Sequence, residues 1–251
     1  MKLIMKLDNQ INVILTNENL EEGFLKMKNS GVKILHFPLI RTYPINPNIE
    51  IDLNDIDCII FTSKNGVKYF FSNSLVKESK VHKKYFVCIG KKTAQKLNEF
   101  GIDASYVCKR NYSKYMGIEV KKSDILKNKK CLLVQGSLSD NSLLDSLISF
   151  SNTRKAIFYK TEPVKNKYND LEKIIDCQQP YVIFTSPSSF DSFINNYDPK
   201  KVNIVSIGNT TSSHINKKGF NTVLTSKMQS YEGISESLIA FLKEKTEYEL
   251  S

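Results

Sequence analysis

Four short stretches of this 251-residue sequence hold side chains that are spaced to meet an anion. Thr62-Ser63-Lys64-Asn65 and Thr185-Ser186-Pro187-Ser188 each follow an Ile-Phe pair, and Gly90-Lys91-Lys92-Thr93 and Gly208-Asn209-Thr210-Thr211 each follow an isoleucine. In every case an apolar run stops at a hydroxyl residue or a glycine and a helical pattern begins at once. Backbone N–H groups and hydroxyls therefore collect at a helix N-terminus, an arrangement that holds carboxylates or phosphates. The plainer use of the same hydroxyls is helix capping, at about 1 kcal/mol each. Several such turns opening on one side favour a ligand that carries several carboxylates or phosphates.

Other chemistry is poorly supplied. His36, His82 and His214 are far apart, which leaves little for a metal site or a histidine-activated nucleophile. Cys58, Cys88, Cys108, Cys131 and Cys177 form no C-x-x-C pair, and Cys58, Cys88 and Cys131 sit in apolar runs as small reduced hydrophobes. Gly90-Lys91 resembles the end of a phosphate loop, but the loop's earlier glycine would fall at Tyr85, and no G-x-G-x-x-G or G-x-S-x-G occurs. The 36 Lys and Arg against 26 Asp and Glu leave a formal +10, which suits an anionic small molecule as well as a solvated surface. The lysines are scattered without interleaved aromatics, so nucleic acid is not the expected partner. The longest apolar runs, Tyr85–Ile89 and Leu238–Leu242, fall far short of the roughly 20 residues of a membrane helix. Met1–Leu7 lacks the apolar stretch of a secretory signal, so a cytoplasmic protein is expected.

The elements that must position these residues are strand-helix units. Short runs rich in Val, Ile and Phe, from Ile11–Thr16 to Thr222–Leu224, alternate with amphipathic stretches about three turns long, the pattern of mostly parallel sheets. Their number exceeds one small sheet, so two are expected. The chain also repeats itself. IIFTSKNGVKYFF (59–71) matches VIFTSPSSFDSFI (182–194), and CIGKKTAQKLNEFGI (88–102) matches SIGNTTSSHINKKGF (206–220), in the same order. The segments beginning NVILTNENL and CLLVQGSLS both read as strand, polar turn, helix, strand. Repetition alone divides the chain near residue 128.

With IFYKTEPV (157–164) and YEGISESLIAFL (231–242), these blocks run along most of the chain in an order that resembles the uroporphyrinogen-III synthase family. The resemblance implies an α/β fold of two domains, each a mostly parallel sheet flanked by helices, with an inter-domain cleft. The domains would be 1–37 plus 164–251, and 46–155, joined by extended linkers at 38–45 and 156–163. It also implies cyclisation of hydroxymethylbilane, a linear tetrapyrrole octacarboxylate, to uroporphyrinogen III, with loss of water and inversion of the last pyrrole ring. No cofactor or metal is needed; the default is a monomer, with at most transient contact with the preceding pathway enzyme. A non-catalytic two-lobed module binding a polyanion is the alternative.

Carried over by position, Tyr159 matches the family's tyrosine, thought to donate a proton to the departing hydroxyl. Thr62, Ser63, Lys64 and Asn65, with Ser186, Pro187 and Ser188, match the two Thr-Ser turns, and Thr93, Thr210 and Thr211 fall in the Ile-Gly turns, all as substrate-binding positions. Two cations common in the family are missing, at Asn17 and near Gln135, where Ser137 and Ser139 remain as hydrogen-bond donors.

Overall fold

The computed structural model describes residues 11–77, 81–109 and 113–250; the stretch Met1–Leu7 considered above lies outside them. In chain order, β1 (Asn12–Leu15) leads through a 3₁₀ segment (Glu22–Ser30) to β2 (Lys33–His36) and β3 (Ile40–Pro44). Next, β4 (Cys58–Phe61) is followed by α1 (Lys64–Ser72) and α2 (Ser74–Lys77), β5 (Tyr85–Cys88) by α3 (Lys91–Asn98), and β6 (Tyr106–Val107) by α4 (Ser113–Lys122). Then come β7 (Lys130–Gly136), α5 (Ser142–Ile148) and the long β8 (Asn152–Pro163). The remainder is α6 (Asn169–Gln178), β9 (Tyr181–Phe184), α7 (Pro187–Ile194), β10 (Asn203–Ser206), α8 (Asn209–Lys217), β11 (Leu224–Thr225) and α9 (Tyr231–Leu250).

Two compact units result, one taking in the described residues up to Arg41 and from Glu162 onward, the other those from Thr42 to Thr161. The chain passes from one to the other within β3 and β8, which are hydrogen-bonded neighbours in one sheet. The segments 38–45 and 156–163 thus contain β3 and the second half of β8.

The first unit holds a sheet of order β11-β10-β9-β1-β2, parallel at every pair. Counted along the unit's own chain this is the order 2-1-3-4-5 of a doubly wound sheet, with the reversal between β1 and β9. Its central strands β1 and β9 are buried on both faces, successive residues facing opposite sides. Val13, Leu15, Ile183 and Val205 meet Phe24, Met27, Ile234 and Leu238 on one face. Ile14, Val182 and Ile204 meet Leu171, Ile175, Phe190 and Ile215 on the other.

The second unit's sheet has the order β3-β8-β7-β4-β5-β6, with parallel pairing from β8 to β6. Ile59, Phe61, Leu132 and Val134 pack on Val67, Phe70 and Leu97. Cys58, Ile60, Cys131 and Leu133 pack on Met116, Val120, Leu143 and Leu147. Here the reversal lies between β7 and β4. Both sheets place the repeated blocks alike: β4 and β5 occupy the second unit as β9 and β10 occupy the first, with β7 standing where β1 stands. Apart from the added edge strand β3, the second sheet is the first with its chain order rotated.

Candidate active site

Open parallel sheets hold ligands beyond the carboxyl ends of their strands at the point of reversal. In the second unit that point is where β4 ends at Phe61 and β7 ends at Gly136, and Tyr159 reaches it from β8. Pairing of β7 with β8 slips by one residue at Gln135 and Gly136, so that Gly136 stands opposite Tyr159. A slip of this kind re-aims a side chain. The Tyr159 ring lies directly over Gly136: a Cβ built on Gly136 would come 2.4 Å from its Cζ and 2.9 Å from its hydroxyl oxygen. Gly136 is not among the glycines with positive φ, so room for the ring is what the missing side chain provides.

The ring also stacks on Tyr69 of α1, at 5.4 Å between centroids and an interplanar angle of 25°. Tyr69 is itself fixed, donating to the carbonyl of Thr42 at 2.7 Å. Lys68 Nζ stands 4.8 Å from the centre of the Tyr69 ring. At the far end, the Tyr159 hydroxyl is 3.1 Å from Ser63 Oγ. Ser63 is the N-cap of α1, and its Oγ accepts the amide of Gly66 at 2.9 Å. Burial pushes the Tyr159 phenol above its ordinary value of 10, and the Ser63 hydrogen bond draws it back. The result is a neutral phenol held against a helix N-terminus.

The matching turn of the first unit has nearly the same backbone. Ser63 has φ −159° and ψ 159°, and Ser186 has φ −158° and ψ 157°, each the N-cap of the helix that follows. Ser186 Oγ accepts from Ser189 N at 3.2 Å and meets Ser188 Oγ at 3.0 Å. Its partner is a second serine, where Ser63 has a tyrosine. Pro187 takes the first helical position, where its missing N–H costs nothing.

In the Ile-Gly turns Thr93 and Thr211 lie inside their helices and are 5% and 2% exposed, whereas Lys91, Lys92, Asn209 and Thr210 are exposed. The buried threonines anchor the turns. Thr62, Lys64, Asn65 and Ser188 are half-buried. Gln229 packs against Gly208, with its Cγ 3.3 Å from where a Cβ would stand.

The residues standing where the family often has arginine are both buried. Asn17 and Gln135 each carry an amide oxygen without a partner in the structure. Ser139 donates to the carbonyl of Gly136 at 2.7 Å and is taken up locally, while Ser137 Oγ accepts the Thr161 amide at 3.4 Å. Cys58, Cys88, Cys108 and Cys131 are buried free thiols, as small hydrophobes should be, and Cys177 is exposed. No group of three or more His, Cys, Asp or Glu that could hold a metal ion occurs among the described residues.

Ser63 and Tyr159 were named from the sequence separately, whereas Tyr69 and Gly136 were not named as neighbours of the Tyr159 ring. A glycine closing an apolar strand is a signal of close approach, so Gly136 was the findable one.

The family model for uroporphyrinogen-III synthase HemD matches residues 25–236 of this chain. The chain belongs to the uroporphyrinogen-III synthase family. Among its relatives, the uroporphyrinogen-III synthase of Chlorobaculum parvum is 26% identical over 209 residues, covering 77% of this chain and 83% of that one. The porphyrin biosynthesis protein HemD of Ruminiclostridium josui is 23% identical over 231 residues; 86% of this chain spans 45% of that longer protein. Uroporphyrinogen-III synthetase from Helicobacter pylori 26695 has the same fold, with a TM-score of 0.66 at 18% identity over 92% of this chain and 100% of that one. A mutant uroporphyrinogen III synthase from the extremely thermophilic bacterium Thermus thermophilus gives 0.58 at 14% identity, over 93% and 99%. These solved structures share the α/β architecture of this chain.

Proposed function

We propose that this chain cyclises hydroxymethylbilane to uroporphyrinogen III, removing water and inverting the last pyrrole ring. The observation that carries the reading is the Tyr159 hydroxyl, 3.1 Å from Ser63 Oγ at the reversal point of the second sheet. Loss of hydroxide from a hydroxymethyl group needs a proton at the leaving oxygen, and Tyr159 supplies it. A phenol is a weak acid at neutral pH, so its help depends on a close hydrogen bond to that oxygen. The tyrosinate left behind faces the N-terminus of α1, where positive potential and the Ser63 hydroxyl offset its charge.

The substrate's carboxylates are taken by the helix N-termini of the repeated turns, through the backbone amides and the side chains of Lys64, Asn65, Ser188 and Thr210. Thr93 and Thr211 hold those turns in shape. The same bilane closes by itself to the uninverted type I isomer, so the protein's main work is geometric. The domains are 1–37 with 164–251 and 46–155, a division supported by the two compact units of the chain. No metal or organic cofactor takes part. The protein acts as a cytoplasmic monomer; no helix among the described residues is long and apolar enough to cross a membrane.

The test is a coupled assay that supplies fresh hydroxymethylbilane, followed by chromatographic separation of the oxidised type I and type III uroporphyrins. The expected outcome is an excess of type III over the uncatalysed control. Type I alone from folded protein would leave a polyanion-binding module without the chemistry.

A further inference from the structure

Two features at Tyr159 are explained neither by helix capping nor by substrate binding. Its ring occupies space that any residue but glycine at position 136 would fill. Its hydroxyl is joined to the cap serine of α1, whereas Ser186, which repeats the Ser63 backbone to within a few degrees, meets a second serine. Ser63 Oγ has one hydrogen and two lone pairs. One lone pair is used by the Gly66 amide at 2.9 Å, which polarises the O–H bond and leaves its hydrogen as a donor.

We infer that Ser63 is a positioning residue for Tyr159, its hydroxyl donating to the Tyr159 oxygen so that the phenol's own proton points away from the protein and toward the leaving group. Gly136 and Tyr69 complete the mount, one by giving the ring room and the other by stacking on it. Ser63 thereby leaves the set of residues that grip substrate. This assignment rests on the reading of Tyr159 as proton donor. It adds what orients that proton: a relay of Gly66 N–H to Ser63 Oγ, and Ser63 O–H to Tyr159 oxygen. As the departing oxygen takes the phenol proton, Ser63 keeps its own and stabilises the tyrosinate by the bond it already makes. No atom of Ser63 is exchanged.

The experiment uses the full-length chain, its tyrosines labelled with ¹³C at Cζ, and the Tyr159 resonance is assigned by its loss in Tyr159→Phe. In Ser63→Ala the Tyr159 resonance is expected to move while the other tyrosine signals stay. The value of kcat is expected to fall about tenfold with KM unchanged, the mark of a bond that matters in the transition state. Ser63→Thr keeps both the cap and the donor and is expected to restore the resonance and kcat together. Thermal unfolding of each variant separates these effects from loss of fold. A raised KM at constant kcat would make Ser63 a substrate ligand and overturn the inference. So would an unmoved Tyr159 resonance in Ser63→Ala. If the wild-type chain yields only type I product, the proposed reaction fails, and the resonance still decides on its own whether Ser63 holds Tyr159.

Discussion

Tyr159 is held by three neighbours: Tyr69 stacked on its ring, Gly136 close against the ring and Ser63 at its hydroxyl. Removing only the hydroxyl, in Tyr159→Phe, keeps the stack and the packing. Turnover is expected to fall by up to about 10²-fold while the thermal midpoint moves little, as paired assays and melts will show. Gly136→Ala is a different experiment on the same group. The backbone accepts alanine, but the added carbon lies 2.4 Å from the ring, which must shift. Activity is expected to fall as in Tyr159→Phe, with a further stability loss of about 1–3 kcal/mol from overpacking, read by chemical denaturation. Both side chains of the Ser63–Tyr159 pair were legible as motif positions. Their meeting was not, because they are brought together by a sheet order that the repeats do not spell out.

Among the elements, the four strands carrying the repeats, β4, β5, β9 and β10, were legible because their apolar runs are short, complete and followed at once by helix signals. Segment 38–45 read as an extended linker. With Pro38 before it and Pro44 as its last residue, β3 sits at the edge of its sheet, where proline is tolerated. The stretch after β1 read as an ordinary helix but is a 3₁₀ segment of nine residues. Its deeply buried pair Phe24 and Met27 are spaced by three, the period of the tighter helix, and Gly23 lies where a Cβ would be 2.6 Å from that of Tyr231. At the helix starts, Ser186→Ala is expected to lower stability by about 1 kcal/mol, and Ser186→Asp to restore most of it. The shift in denaturant midpoint is the measurement.

The molecule as a whole carries several buried groups whose neutral form the fold favours. Burial, with help from Glu21 and Glu232, pushes Tyr231 up to about 12, and burial pushes the thiols of Cys88 and Cys108 to about 12. Each of these values is raised above that of the unfolded chain, 10.0 for tyrosine and 9.0 for cysteine. Below pH 9 these groups are protonated in both states, and their contribution is complete. As pH rises past 9 and then 10 the unfolded chain loses protons that the folded one keeps. Stability is therefore expected to decline by about 1.4 kcal/mol per pH unit per group until pH passes about 12. Denaturation followed between pH 8 and 11 will show the slope.

The rotated order of the second sheet also sets a timetable for synthesis. Residues 42–161 contain all of that unit, so it can close as soon as they have left the ribosome. The first unit has no such freedom: Val13 pairs with Tyr181 and Val182 with Ile204, so β1 and β2 emerge early and wait with an open edge for partners translated much later. During that interval Ile14 and Leu15, fully covered in the finished protein, are exposed to whatever the cell offers. Chaperone engagement of the nascent chain belongs to that window, and slow codons placed after residue 161 would lengthen it without touching the half that carries Tyr159.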